Sequence, residues 1–255
     1  MSDYLLQIKN VSASYGDEDV VKNVSFAMRP GEIVCIVGES GSGKSTLIKA
    51  IHGMNDLLIT GGSIVFSGED LLALPAKTRR KKMGAEIGLI PQDPASSFNP
   101  IRKLDAQFKE ALAGHGMAYD EARIDNVLKS IGLHSGKTVL KKRPYELSGG
   151  MNQRIAIAAA MLFEPRLLLC DEATSALDVS TAKAVAEELL KIRETNGTAI
   201  LLVTHHLGIA RMMADHIGIM MAGSLVEYGP AQQILDAPEN EYTKQLIRDV
   251  PRLKK

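Results

Sequence analysis

The chain of 255 residues balances 30 basic against 30 acidic side chains, and its 45% hydrophobic content is ample for a large folded core. Zero net charge lacks the basic field that selects duplex nucleic acid or an anionic membrane surface, so no nucleic-acid partner is expected. No apolar run approaches the roughly 18 residues of a membrane span, and the opening "MSDYLLQIKN" lacks the apolar core of a secretory leader, so neither a spanning helix nor export is expected.

In chain order, "LLQIKNVSASY" and "NVSFAM" alternate like half-exposed strands, and "EIVCIVG" is a continuous apolar strand. The helix "TLIKAIHGM" and the strand "GGSIVFSG" follow. From Asp93 to Pro165 the texture turns helical, in "LDAQFKEALAG", "ARIDNVLKSIG" and "MNQRIAIAAAMLF". Alternation then resumes with the strand "RLLLCDE" and a helix in which Val185, Leu189 and Ile192 form one stripe before a stop at Gly197. The strand "AILLVTHH", the helix "GIARMMAD" and the strands "HIGIMMAG" and "SLVEYG" complete the pattern. Such alternation predicts an α/β fold with a mostly parallel core sheet, whose ligands sit beyond the carboxyl ends of the strands. We divide the chain into one domain with a core of residues 1–92 and 166–235, a helical insertion at 93–165 and a tail at 236–255. Cys35 and Cys170 lie inside apolar runs as small hydrophobes, which fits a reducing cytoplasm.

"GESGSGKS", Gly38 to Ser45, fits GxxxxGK[ST] and stands between a strand and a helix, the context that gives the pattern its meaning. Gly38, Gly41 and Gly43 free the loop to aim backbone N–H groups at phosphate oxygens, ahead of the positive end of the helix. Lys44 would pair with the β and γ phosphates and the Ser45 hydroxyl would ligate Mg2+. Ser40, Ser42 and Thr46 complete the expected nucleotide contacts. In "CDEATSALD" two carboxylates end an apolar strand: Asp171 would hold Mg2+ through its water shell, and Glu172 would orient or deprotonate the attacking water.

"LSGGMNQR", Leu147 to Arg154, resembles the signature of the ATP-binding cassette (ABC) ATPases. The Ser148 hydroxyl and the Gly149 and Gly150 amides ahead of a helix make an anion site, and the resemblance implies that it caps ATP bound to the opposite subunit. It further implies that Tyr15 stacks on adenine and that Gln92 reaches Mg2+ and the attacking water. His205 would contact the γ-phosphate, and "SALD", Ser175 to Asp178, would signal across a dimer. Taken alone, each of these four features reads as an ordinary turn, loop or cap. The fold implied is a P-loop NTPase with an N-terminal antiparallel β subdomain and an inserted α-helical subdomain.

"PQDPASSFNP", "SGGMNQR" and the tail "LVEYGPAQQILDAPENEYTKQLI" are most similar to the ATPase subunits of peptide and nickel importers. That likeness implies ATP and Mg2+, a second and non-identical ATPase subunit rather than a homodimer, membrane-spanning permease subunits and, indirectly, an extracytoplasmic solute-binding protein. It places the chain on the inner face of the cell membrane. Three positions depart from the family pattern: Ala173 stands where Pro is usual, His206 where an acid is usual, and no cysteine follows Cys170, so no iron–sulfur cluster is expected in the tail. The alternative is an ABC-type subunit of a cytosolic multi-enzyme assembly such as a carbon–phosphorus lyase complex. A DNA-repair ABC ATPase would need a long coiled coil between phosphate loop and signature, and residues 46–147 carry no sustained heptads.

Overall fold

A computed structural model describes residues 3–54, 56–133, 136–173 and 179–249. The "SALD" loop and the last residues of the tail lie outside the described residues. Strands β1 (Leu6–Ser14), β2 (Asp19–Met28), β4 (Leu58–Phe66) and β5 (Glu69–Asp70) form an antiparallel sheet in the order β2-β1-β4-β5. A six-stranded sheet runs β10-β9-β3-β8-β7-β6, from β3 (Ile33–Val37), β6 (Ile87–Ile90), β7 (Leu167–Asp171), β8 (Ala199–Thr204), β9 (His216–Met221) and β10 (Ser224–Pro230). All its neighbouring pairs are parallel except β10, which returns antiparallel along β9.

Strand alternation sorts the side chains of the second sheet into two cores. Val34 and Ile36 of β3, Leu167 and Leu169 of β7, and Leu201 and Val203 of β8 point to one face. There they meet Leu47, Ile48 and Ile51 of α1 (Lys44–His52), which is roofed by Val11, Val24 and Ile64 of the antiparallel sheet. Cys35, Cys170 and Leu202 point to the other face, against α7 (Val179–Asn196), α8 (Leu207–Met213) and the inserted helices. Every side chain of β3, β7 and β8 is buried, as expected of strands covered on both faces. Both cysteines are free and buried, in agreement with their apolar setting.

The inserted helices are α3 (Leu104–Gly114), α4 (Glu121–Ser130), α5 (Gly136–Leu140) and α6 (Gly149–Met161). Asp120 caps α4 by accepting from the Ala122 and Arg123 amides, and Leu104, Phe108, Ile124, Leu128 and Ile157 fill the space between the helices. Helix α2 (Ala76–Ala85) has no counterpart in the sequence reading, because "AKTRRKKMGA" has no apolar stripe and buries only Met83. Its fastening is polar: Lys82 bridges Glu69 and Glu86 at 3.1 Å each, and Arg79 donates to the Ala50 carbonyl at the end of α1. Its backbone leaves helical geometry at Met83 and Gly84. No helix among the described residues is long and apolar enough to cross a membrane.

Candidate functional site

The chain leaves β3 into the loop of Gly38 to Gly43, where glycine is demanded twice by space. A Cβ on Gly38 would collide with the Met220 backbone carbonyl, and one on Gly43, at φ 97°, would stand 2.7 Å from the Val20 carbonyl oxygen. The β9–β10 turn therefore forms the outer wall of the loop, and two bonds fasten it: Gly223 N–H donates to Ser42 O at 3.0 Å and Lys22 N–H donates to Gly223 O at 2.8 Å. These supports escaped the sequence reading; their only trace is the "AG" turn, Ala222–Gly223, with both residues at positive φ. Gly38→Ala should cost about 1–3 kcal/mol of stability by overpacking, read as a lowered denaturant midpoint.

Lys44 folds back over this loop. Its ammonium donates to Gly38 O at 2.9 Å and Glu39 O at 2.7 Å, with Ser42 Oγ at 3.4 Å. Burial pushes the Lys44 pKa down, and the charges of Glu172, Asp171 and Glu39 oppose that push. A cation with no carboxylate in direct contact among the described residues, held by carbonyl oxygens at the start of a helix, is placed to gain from a polyanion. Ser42 and Thr46 are buried beside it, whereas Ser40 is exposed.

Ser45, the second residue of α1, donates from Oγ to Asp171 Oδ1 at 2.6 Å, joining the phosphate loop to the end of β7. Asp171 is 8% exposed; burial raises its pKa, and the Ser45 bond works against that rise. Among the described residues no group of three or more His, Cys, Asp or Glu side chains could hold a metal by itself. A divalent cation here would need the serine hydroxyl and oxygens from outside the protein, the donor set of a nucleotide-borne Mg2+.

Glu172 departs from the strand at φ 47°, a left-handed conformation that costs a non-glycine residue about 1–3 kcal/mol. Its N–H donates to Val203 O at 3.0 Å, so the neighbouring strand secures the turn. Its carboxylate is a point of convergence: Gln92 Nε2 donates to Oε2 at 3.4 Å, and His205 Nδ1 lies 3.5 Å from the same oxygen. Gln92 follows β6 and His205 follows β8, so three strand ends meet at one carboxylate.

Tyr15 stands just past β1, 48% exposed, with the Lys49 ammonium of α1 5.3 Å from its ring centroid. Ser148 caps α6, accepting from Met151 N–H at 3.3 Å, and Ser148 and Gly149 are exposed. No hydrogen bond among the described residues joins the signature to its own phosphate loop. The signature helix is anchored by two contacts that the sequence did not suggest: Asn152 Nδ2 donates to Pro144 O at 3.2 Å, and Arg154 Nε pairs with Glu188 Oε1 at 2.8 Å. The structure thus brings Lys44, Ser45, Asp171, Glu172, Gln92 and His205 into one site and turns Ser148 and Gly149 toward solvent.

Comparison with known proteins agrees with this geometry. The ABC transporter family model matches residues 21–175. The oligopeptide transport ATP-binding protein OppD of Lactococcus lactis subsp. cremoris is 35% identical over 98% of this chain and 77% of its own length. The dipeptide transport ATP-binding proteins DppD of Haemophilus influenzae and Escherichia coli are each 38% identical over 97% of this chain and 78% of theirs. Among solved structures, the dimeric post-hydrolysis state of the ATP-binding cassette MJ0796 bound to ADP and Pi aligns with a TM-score of 0.78 at 28% identity, covering 89% of this chain and 98% of that one. CbiO1 from Clostridium perfringens, part of the transporter complex cbiONQ, aligns with a TM-score of 0.79 at 25% identity over 98% of this chain and 97% of its own. A phosphate loop tied to a carboxylate-ended strand, a left-handed glutamate at its side and whole-length similarity together show that the chain belongs to the ATP-binding cassette family and is one of its ATPases.

Proposed function

We propose that this ATPase powers an importer that carries peptides across the cytoplasmic membrane. Similarity along nearly the whole chain to OppD and DppD, an oligopeptide and two dipeptide transport ATP-binding proteins, supports a peptide as the solute. The single observation that carries the hydrolytic half is the meeting of Gln92 and His205 on Glu172 Oε2, beside the Ser45–Asp171 bond.

In this reading the phosphate-loop amides and Lys44 bind the triphosphate, and Lys44 exchanges its bonds to Gly38 and Glu39 carbonyls for phosphate oxygens. Ser45 and Asp171 would hold Mg2+ with help from Gln92, and the ion would supply charge neutralisation on the phosphates. Glu172 accepts the proton of the attacking water, with Gln92 and His205 set beside its carboxylate. His205 faces the terminal phosphate and reports its presence. The exposed Tyr15 ring supports adenine.

The open signature favours a composite site in which Ser148, Gly149 and Gly150 close on ATP held by a second, non-identical ATPase subunit. A cleft of about 1220 Å3 between α2 and the insertion, lined by Leu89, Phe98, Phe108 and Phe163, is the surface we assign to the permease. This keeps the chain at the inner face of the membrane without crossing it. An extracytoplasmic solute-binding protein would act through the permease.

Purification of a tagged chain from native membranes tests the assignment. The expected companions are a polytopic membrane protein and a second ATPase, with peptide uptake lost when the chain is removed. Recovery with soluble enzymes alone would contradict it and favour a cytosolic assembly.

A further inference from the structure

The loop after β8 carries two histidines, and the mechanism above uses only the first. His206 is the N-cap of α8, yet its side chain makes no capping hydrogen bond. Its backbone is fixed all the same: its N–H donates to Thr204 Oγ1 at 3.0 Å, and Leu207, Ala210 and Met213 root the helix in the core. The half-buried ring lies against His205, with centroids 4.1 Å apart and planes tilted by 42°. His205, by contrast, has a 42% exposed side chain, and its 3.5 Å approach to Glu172 is too long to hold a ring in one place.

We infer that His206 is a positioning residue for ATP hydrolysis: its anchored ring is the wall that keeps the His205 imidazole turned toward Glu172. Contact between rings depends on a flat apolar surface and not on a proton. The charged neighbours agree with a neutral wall. Burial first, and then His205, push the His206 pKa down, while Glu172 pulls the other way.

The inference rests on the proposed role of His205, and three variants separate the two. Steady-state ATP hydrolysis would be measured on the complex purified through this chain, with thermal midpoints recorded in parallel. His205→Ala should lose about 100-fold in kcat, the scale of a displaced catalytic group. His206→Ala should lose roughly 10-fold in kcat with KM for ATP and the thermal midpoint unchanged, the scale set by one lost ring contact. His206→Phe should return kcat to within about twofold of wild type, because the wall is restored.

A His206→Ala enzyme as fast as wild type, beside an inactive His205→Ala, would overturn the inference and leave the role of His205 standing. A His206→Phe enzyme as slow as His206→Ala would overturn it by assigning the effect to a ring nitrogen. A change in KM alone, or a loss that tracks a lowered thermal midpoint, would also overturn it. Full activity in His205→Ala would remove both readings together.

Discussion

Lys44→Ala should weaken ATP binding by about 100-fold or more, the scale of removing charge-assisted bonds from a site organised around one cation. The ammonium is buried, and among the described residues its hydrogen-bond partners are carbonyl and hydroxyl oxygens, so no described carboxylate takes over its role within hydrogen-bonding distance. Its loss also leaves the Gly38 and Glu39 carbonyls without that donor, so some loosening of the loop adds to the effect. Fluorescence titration with a nucleotide analogue measures the affinity. An unchanged affinity would contradict the assignment of the phosphate loop.

The second large effect belongs to the glutamate at the strand end. Glu172→Gln keeps the size of the side chain and leaves Ser45, Asp171 and Lys44 in place, so ATP should bind as it does to wild type. Hydrolysis should fall by roughly 100-fold or more, the usual contribution of a positioned general base. With turnover blocked, the ATP-bound dimer should accumulate on size-exclusion chromatography. Wild-type turnover in this variant would transfer the role of base to another group, with His205 the first to test.

That these residues would lie together was legible before any fold was known, because the patterns expected to bind phosphate and Mg2+ are short and local. "GESGSGKS" between a strand and a helix needs no tertiary information, and it gives the acidic pair closing "LLLC", an ordinary strand end when taken alone, a ligand to hold. What the sequence could not show depends on distant partners. The Gly38 collision involves Met220, and the outer wall of the loop is a turn at Ala222–Gly223. Tyr242 of α10 (Glu241–Arg248) is another such partner, its hydroxyl accepting from the Glu39 N–H of the phosphate loop at 3.4 Å. Helix α2 is missing from the sequence reading for the opposite reason: it is held by ion pairs and one Arg79 bond, and periodicity sees only apolar burial.

Ala173, in the place of the usual proline, can now be put in physical terms. Its side chain is buried and follows a left-handed Glu172, whereas a proline would bias the residue before it toward extended backbone. His206, the other departure, lays its ring against that of His205.

In the function proposed above, this chain holds ATP with its own loop and lends its signature to a partner. The most direct test is the ATP affinity of the isolated Ser148→Arg chain. The exposed Ser148 takes a bulky side chain without touching Gly38 to Ser45, so affinity for Mg-ATP should stay near wild type while the closed dimer is lost. A marked weakening of ATP binding by the isolated Ser148→Arg chain would place the signature on its own nucleotide and rule out its service to a partner.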